Sequence, residues 1–425
     1  MRLSILLLII IYSFVGKNTA RGQSGELQKL YTQAIEAQRN GDNKRFYDLI
    51  MQAHKIHPYH QGILYQAGIA AALNNKNTEA IKYLKEAVLI RSDFVLEIPE
   101  LNSLKGNKDF ENLKALQREL SKQIIGSDTA FLVKDKTLHV ESVTTGEEDD
   151  IFYIGSIHKR KIVKVNRDKS LSDFTKPKQD GLCAVFDLKT DQSKKYLWVS
   201  SSPVPEMEGY QDDLPSGVFQ YDIKSHKLVK KFLPENPKLE LVLGSIAINK
   251  KGEVFASDSK GNLIFKVNES TGKLEQFFSS EEFWNVQGIT FSDDNKYMFI
   301  ADYIKGIFRL NLTNFDLLLL PKNFDLSLKS VDGLAFFNNS LIAIQNGLKP
   351  MRVTRYALNK NMDTLESYSI LDQGHPAFNE PTLGTLDKNT FYYVANSLWS
   401  GYDDNHGLKP DAQLQEVVIL KTNLK

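Results

Sequence analysis

Six places in the later part of the chain carry residues whose types could do chemistry together: Glu141, Asp180, Gly244, Gln287, Asp332 and Pro381, the last flanked by Glu380. Each lies at or just before a short β-rich run. If those runs are the innermost strands of radially repeated sheets, the six places converge on the mouth of a central channel. Several carboxylates and an amide on one axis repel one another when nothing lies between them. A hard cation relieves this, and calcium, which takes several oxygen ligands in irregular geometry, is the metal such a set implies. Glu141, Gln287 and Asp332 are the candidate metal ligands; Asp180 and Glu380 are candidate contacts to a small-molecule ligand in the mouth. The plainer alternative is that Asp180-Gly181 and Asp332-Gly333 are ordinary turn dipeptides. No Gly-rich phosphate loop, zinc-spaced Cys/His set or G-x-S-x-G elbow occurs.

The elements that must position this column are short strands. One β-rich run recurs at 152–156, 197–201, 254–258, 298–302, 341–345 and 391–395. A second follows each (IVKVN, VFQYD, IFKVN, IFRLN, VTRYA, VVILK), and a third precedes each. The spacing, for example 44 residues from Val254 to Met298, is that of propeller blades. Turns such as Asn249-Lys250-Lys251-Gly252 reverse the chain between strands. The expected fold is therefore mainly β, a six-bladed propeller over 128–425. The run Phe131-Leu132-Val133 pairs with the last strands to close the ring, and the proline-rich insertion 202–214 is a loop rather than a seventh blade. Trp198 and Trp399 are read as strand-packing residues.

Ahead of it stands a helical period. Leu30, Ala34, Ala37, Phe46, Ile50, Ala53 and Pro58 align with Leu64, Gly68, Ala71, Ala80, Leu84, Ala87 and Ser92, each 34 residues on. That is the tetratricopeptide repeat length. Two repeats bury little without a neighbour, so Leu113, Leu116 and Leu120 are expected on a capping helix. The small all-α module over 26–125 either offers a groove to a protein or peptide partner or buttresses the propeller.

The bulk composition narrows the setting. With 53 basic and 52 acidic residues the chain lacks the basic excess a nucleic-acid binder needs. A short positive start, an apolar run over 3–15 and a polar, small-residue stretch give the order of a signal peptide, residues 1–22. The run is shorter than the roughly 20 residues of a membrane span. Export to a periplasm or the exterior is the expectation, with no membrane span after signal removal. The single cysteine, Cys183, rules out an internal disulfide.

The stretches FYIGSIHKRKIVKV, QGITFSDDNKYMFIADYIKGIFRLNL, DGLAFFNNSLIAIQNG and HPAFNEPTLG make residues 138–400 resemble the senescence marker protein/gluconolactonase propellers. The resemblance implies a divalent cation held by Glu141 and Asp332. Gln287 stands where the family has Asn, and Gly244-Ser245 replaces an Asn-Asp pair. It further implies metal-dependent hydrolysis of a lactone or related small ester, with Asp332 as general base and His158 and His375 as proton carriers or substrate contacts. The departures at Gln287 and Gly244 speak for the alternative, a non-catalytic ligand-binding propeller.

Overall fold

The computed structural model describes residues 20–236 and 239–424, with side chains from residue 25. The expected signal peptide, 1–22, lies almost wholly outside the described residues. By packing the chain falls into two compact units: residues up to Val88 with Phe94–Ala115, and Leu89–Asp93 with Leu116–Lys425. The helix Lys108–Leu120 is divided between the units, and residues 89–93 fall with the second.

In the first unit the helices Ala20–Arg39, Asn43–Ile56, Gln61–Leu73 and Asn77–Ile90 follow one another through short turns. Asp42 caps the second by accepting from the Arg45 N–H at 3.0 Å, and that helix stops just before Pro58, which could not continue its ladder. The positions 34 residues apart are the buried ones: Ala34, Phe46, Ile50 and Ala53 in the first pair, Leu64, Ala71, Leu84 and Ala87 in the second. Gly68 shows why size matters there. A β-carbon on it would stand 2.5 Å from Leu84 Cγ and 3.2 Å from the Ala80 carbonyl oxygen. Of the expected capping residues, Leu113 and Leu120 are buried and Leu116 is half-buried.

The strands of the second unit form antiparallel meanders. Four sheets have four strands each, and one has eight. The eight-stranded sheet consists of two meanders, Ala184–Thr190 through Lys227–Pro234 and Leu243–Ile248 through Lys273–Ser279. Their ladders are joined only by the parallel pairs Lys273↔Leu233 and Leu274↔Pro234. The expectation of six separate units thus meets five sheets, because two outermost strands touch and fuse neighbouring meanders. Residues 203–216 carry no strand, so the insertion is a loop, as its composition implied. Strand Asp128–Val133 pairs antiparallel with Val417–Asn423, with Phe131 opposite Ile419 and Val133 opposite Val417. The expected closing strand is therefore in place, and the start and end of this unit share one sheet.

The core lies between sheets. Tyr153 and Ile162 of one sheet pack with Val185, Leu188, Val199 and Phe219 of the next. Five of the innermost strands carry a bulge near the channel end, at Val140/Val143, Val185/Leu188, Leu243/Ser245, Val286/Ile289 and Val331/Gly333. Each inserts unpaired residues that leave the ladder and turn toward the axis.

Because the Gly68 site cannot accept volume, Gly68→Val is expected to destabilise the helical unit by about 1–3 kcal/mol. Urea unfolding of the full chain, followed by far-ultraviolet circular dichroism, checks this; a helical transition at the wild-type midpoint would contradict the packing described.

Candidate functional site

The bulges assemble the column. Glu141, Phe186, Gly244, Gln287 and Asp332 occupy equivalent positions in their register breaks. The innermost strands approach closely because Gly288 and Gly333 have no side chain. A β-carbon on Gly288 would meet the Asp332 carbonyl oxygen at 2.6 Å, and one on Gly333 the Thr382 carbonyl oxygen at 2.7 Å. The first and last inner segments are joined through Glu141, whose carbonyl accepts from Thr382 Oγ1 at 2.5 Å and the Leu383 N–H at 3.2 Å.

Three carboxyls share this mouth. Glu141 is 6% exposed, whereas Asp332 and Glu380 are half-buried. Burial, with a smaller push from Asp187, raises Glu141 to about 7, although hydrogen bonds from Ser397 and Trp399 oppose the rise. Glu380 is also lifted to about 7, by burial and then by the charge of Glu141. Asp332 is raised well above the usual carboxylate range by burial and by the charges of Glu141 and Glu380, while its bond from Asn346 pulls the other way. Asn346 Nδ2 donates to Asp332 Oδ2 at 3.0 Å, and Tyr303 Oη donates to Asn346 Oδ1 at 3.0 Å. Gln287 Nε2 is fixed on Asn285 Oδ1 at 2.5 Å, and its Oε1 faces the space left by Gly244.

Glu141 is the most encumbered of the set. Its Oε1 accepts from Ser397 Oγ and lies 3.2 Å from His139 Nε2. His139 is fully buried, with Nδ1 2.9 Å from Tyr402 Oη and its ring edge-on to Trp399 at 4.5 Å. Burial pushes its pKa down to about 3, so the imidazole is neutral and the contact with Glu141 is a hydrogen bond rather than an ion pair. Trp399 begins a short 3-10 turn and sits on His139 and near Phe186; it is not the strand residue the sequence suggested. Trp198, by contrast, packs within its strand as expected.

Several expected contacts lie elsewhere. Asp180 stands in a left-handed turn at φ 56°, ahead of the strand that begins at Ala184. Its carbonyl receives Lys231 Nζ at 2.6 Å, and the equivalent place in the column belongs to Phe186. The inner strand begins at Ala184 as expected, but the residue that turns out of its ladder is Phe186, inside the strand, and Asp180 lies four residues before its start. His158 holds the loop after residue 202 through Nδ1 to the Glu206 carbonyl at 2.8 Å. His375 Nδ1 accepts from the Ala377 N–H at 3.1 Å, a local turn bond.

Asp187 was missed. It is fully buried next to the column, accepting from the Ile246 N–H and from Lys189 Nζ at 2.8 and 2.9 Å. Nothing in the sequence but its place inside a bulge marks it. Asn346, Tyr303, His139 and Ser397 come from loops and strand ends, and only the Gln345-Asn346-Gly347 turn hinted at one of them.

Among the described residues no three His, Cys, Asp or Glu side chains are grouped so as to hold a metal ion. Of the expected ligand set, Glu141 is engaged by Ser397 and His139.

No protein-family model matches the chain, and no curated protein matches it. Solved structures do. The aldose sugar dehydrogenase of Streptomyces coelicolor, in its PQQ-bound form, is 12% identical with a TM-score of 0.50, covering 71% of this chain and 98% of that one. Virginiamycin B lyase of Staphylococcus aureus is 12% identical at a TM-score of 0.42, covering 68% of this chain and 97% of that one. A chain of a nidogen/laminin complex is 14% identical at 0.44, covering 63% and 97%. At such identity the likeness to the dehydrogenase is one of fold alone, and that fold is a β-propeller.

Proposed function

We propose that this chain is a small-molecule-binding propeller whose ligand sits in the mouth formed by Glu141, Gln287, Asp332 and Glu380. Counting the fused sheet as two gives six blades, in keeping with the gluconolactonase-like resemblance. One observation carries the reading. Once ionised, the mouth is dominated by acceptors: the carboxyls of Asp332 and Glu380 and the Oε1 of Gln287. Of the neighbouring donors, one hydrogen of Asn346 Nδ2 and that of Tyr303 Oη are taken up by Asp332 and Asn346, and one of Gln287 Nε2 by Asn285. A ligand that brings positive charge or several donors, an amine or a polyhydroxylated compound, fits this lining. An ester carbonyl brings another acceptor and needs a cation to be accommodated.

The mutual repulsion of the carboxyls favours a second reading, a metal-dependent hydrolase of a lactone or related ester, with calcium on Glu141, Gln287 and Asp332 and with Asp332 as base. Export through the signal peptide and a protein or peptide partner at the helical repeats complete the proposal. No described helix is long and apolar enough to cross a membrane.

Thermal-shift screening of amines and polyols, alongside calcium, magnesium, manganese and zinc, separates the readings. The binding reading expects a compound whose stabilisation is lost in both Asp332→Asn and Glu380→Gln. Stabilisation by a divalent cation that Asp332→Ala abolishes would move the balance to the hydrolase. If no compound and no cation gives a shift that depends on these residues, the mouth is not a site.

The carboxyls also set a pH dependence. Their folded pKa values lie above the unfolded value of about 4.3 for Glu. The stability this carries is fully present below about pH 4 and is lost as pH rises through about 7. With chelator present, Glu380→Gln is expected to lose less stability than wild type between about pH 5 and pH 8. Parallel urea titrations at the two pH values measure it, and equal losses would refute the assignment.

A further inference from the structure

A firmly held cation outside the mouth is Arg309, in strand Gly306–Asn311. Its guanidinium stacks on the Tyr297 ring at 4.5 Å. Nη1 donates to the carbonyl oxygens of Asn361 at 3.2 Å and Met362 at 3.4 Å, in the turn that follows strand Arg352–Leu358. The side chain thus spans two sheets and has little rotamer freedom left. Nε is buried without an acceptor, and among the described residues Nη2 makes no hydrogen bond either. Met362 holds a left-handed φ of 55°, a conformation that costs energy for a side chain of its kind.

Arg309 lines a crevice of about 420 Å³ together with Lys296, Lys360, Asp294 and Asp363. That volume is within the roughly 300–1,000 Å³ of small-molecule sites. The two acids are already satisfied. Asp294 accepts from Ser292 Oγ at 2.7 Å and the Lys296 N–H at 3.1 Å; Asp363 accepts from Asn359 Nδ2 at 2.6 Å and Thr364 Oγ1 at 3.1 Å. The cations are less so. Among the described residues Lys296 has one ion pair, with Asp294 at 3.3 Å, and the exposed Lys360 has none.

We propose that this crevice is a second binding site, for a small molecule bearing an oxyanion group, carboxylate or phosphate, held by Arg309, Lys296 and Lys360. Its sheets are Val286–Phe291 through Leu317–Leu319 on one side and Val331–Phe337 through Leu365–Gln373 on the other. The chemistry is opposite to that of the acceptor-lined mouth. A guanidinium already fixed by stacking and by two carbonyls need not be ordered by the ligand, which leaves more of the charge-assisted bonding as affinity.

Isothermal titration calorimetry of the full chain with citrate and with inorganic phosphate, at ionic strength fixed by sodium chloride, tests this. Saturable binding of at least one is expected, weakened about ten-fold by Arg309→Lys, which keeps the charge but loses the planar fork, and by Lys360→Ala. Lys360 is exposed, so its variant keeps the fold even if the Arg309 variant does not. Lys388→Ala, at a distant exposed lysine, serves as the control and should bind as wild type does. No saturable heat with either anion, or binding that neither crevice variant weakens, overturns the proposal.

Discussion

The β unit depends on one pairing above others, that of Asp128–Val133 with Val417–Asn423. Every innermost strand must face one axis for the column to exist, and that holds only if the last sheet is fastened to the first part of the unit. The seam is reinforced by Asp372, a fully buried carboxylate. It accepts from the Gly126 and Ser127 N–H groups at 3.0 and 3.1 Å, from Ser127 Oγ, and from Tyr393 Oη at 2.8 Å. A buried charge is tolerable when hydrogen bonds surround it, and here those bonds tie the segment entering the unit to its final sheets. On the channel side the same closure is repeated by Thr382 and Leu383 on the Glu141 carbonyl.

Around the axis the closed ring is not symmetrical. On one side Glu141, His139 and Ser397 are buried, and Trp399 covers the imidazole. Phe186 lies in an apolar cluster with Ile157, Val204, Met207 and Val242, which shields the neighbouring arc. On the other side Gln287, Asp332, Asn346 and Glu380 keep part of their surface open. Glu141 therefore lies in the closed half, and Asp332 and Glu380, which keep part of their surface open, line the open half.

Much of this architecture can be read from residue patterns. The β runs announce themselves through alternation, and the helical repeats through small residues that recur where helices cross, Gly68 against Leu84 being the clearest case. Glu141, Gln287 and Asp332 could be placed because equivalent strands put equivalent residues at the axis. Asp180 could not. The strand from Ala184 is legible, but which of its residues leaves the ladder is decided by pairing with Tyr196–Ser202, which no local signal encodes. Asp187 escaped because a bulge removes the simple two-residue period on which inward and outward positions are assigned. Asn346, Tyr303 and Ser397 reach the mouth from loops whose course is fixed by tertiary contacts. The fusion of two meanders into one sheet rests on two residue pairs, too few to leave a pattern.

The seam also has a temporal side. The strand that receives Asp128–Val133 comes from residues 417–423, far downstream in the chain. A ribosome adds about 5–20 residues per second, so the early sheets wait many seconds for their partner. During that interval the ring is an open arc, with its first strand unpaired and its apolar inter-sheet faces at the two ends uncovered. Contacts so distant in sequence are slow to form, and such a chain is vulnerable to association with its neighbours until the final strand arrives. Arrival of residues 417–423, rather than the stability of any single meander, is what ends that exposure.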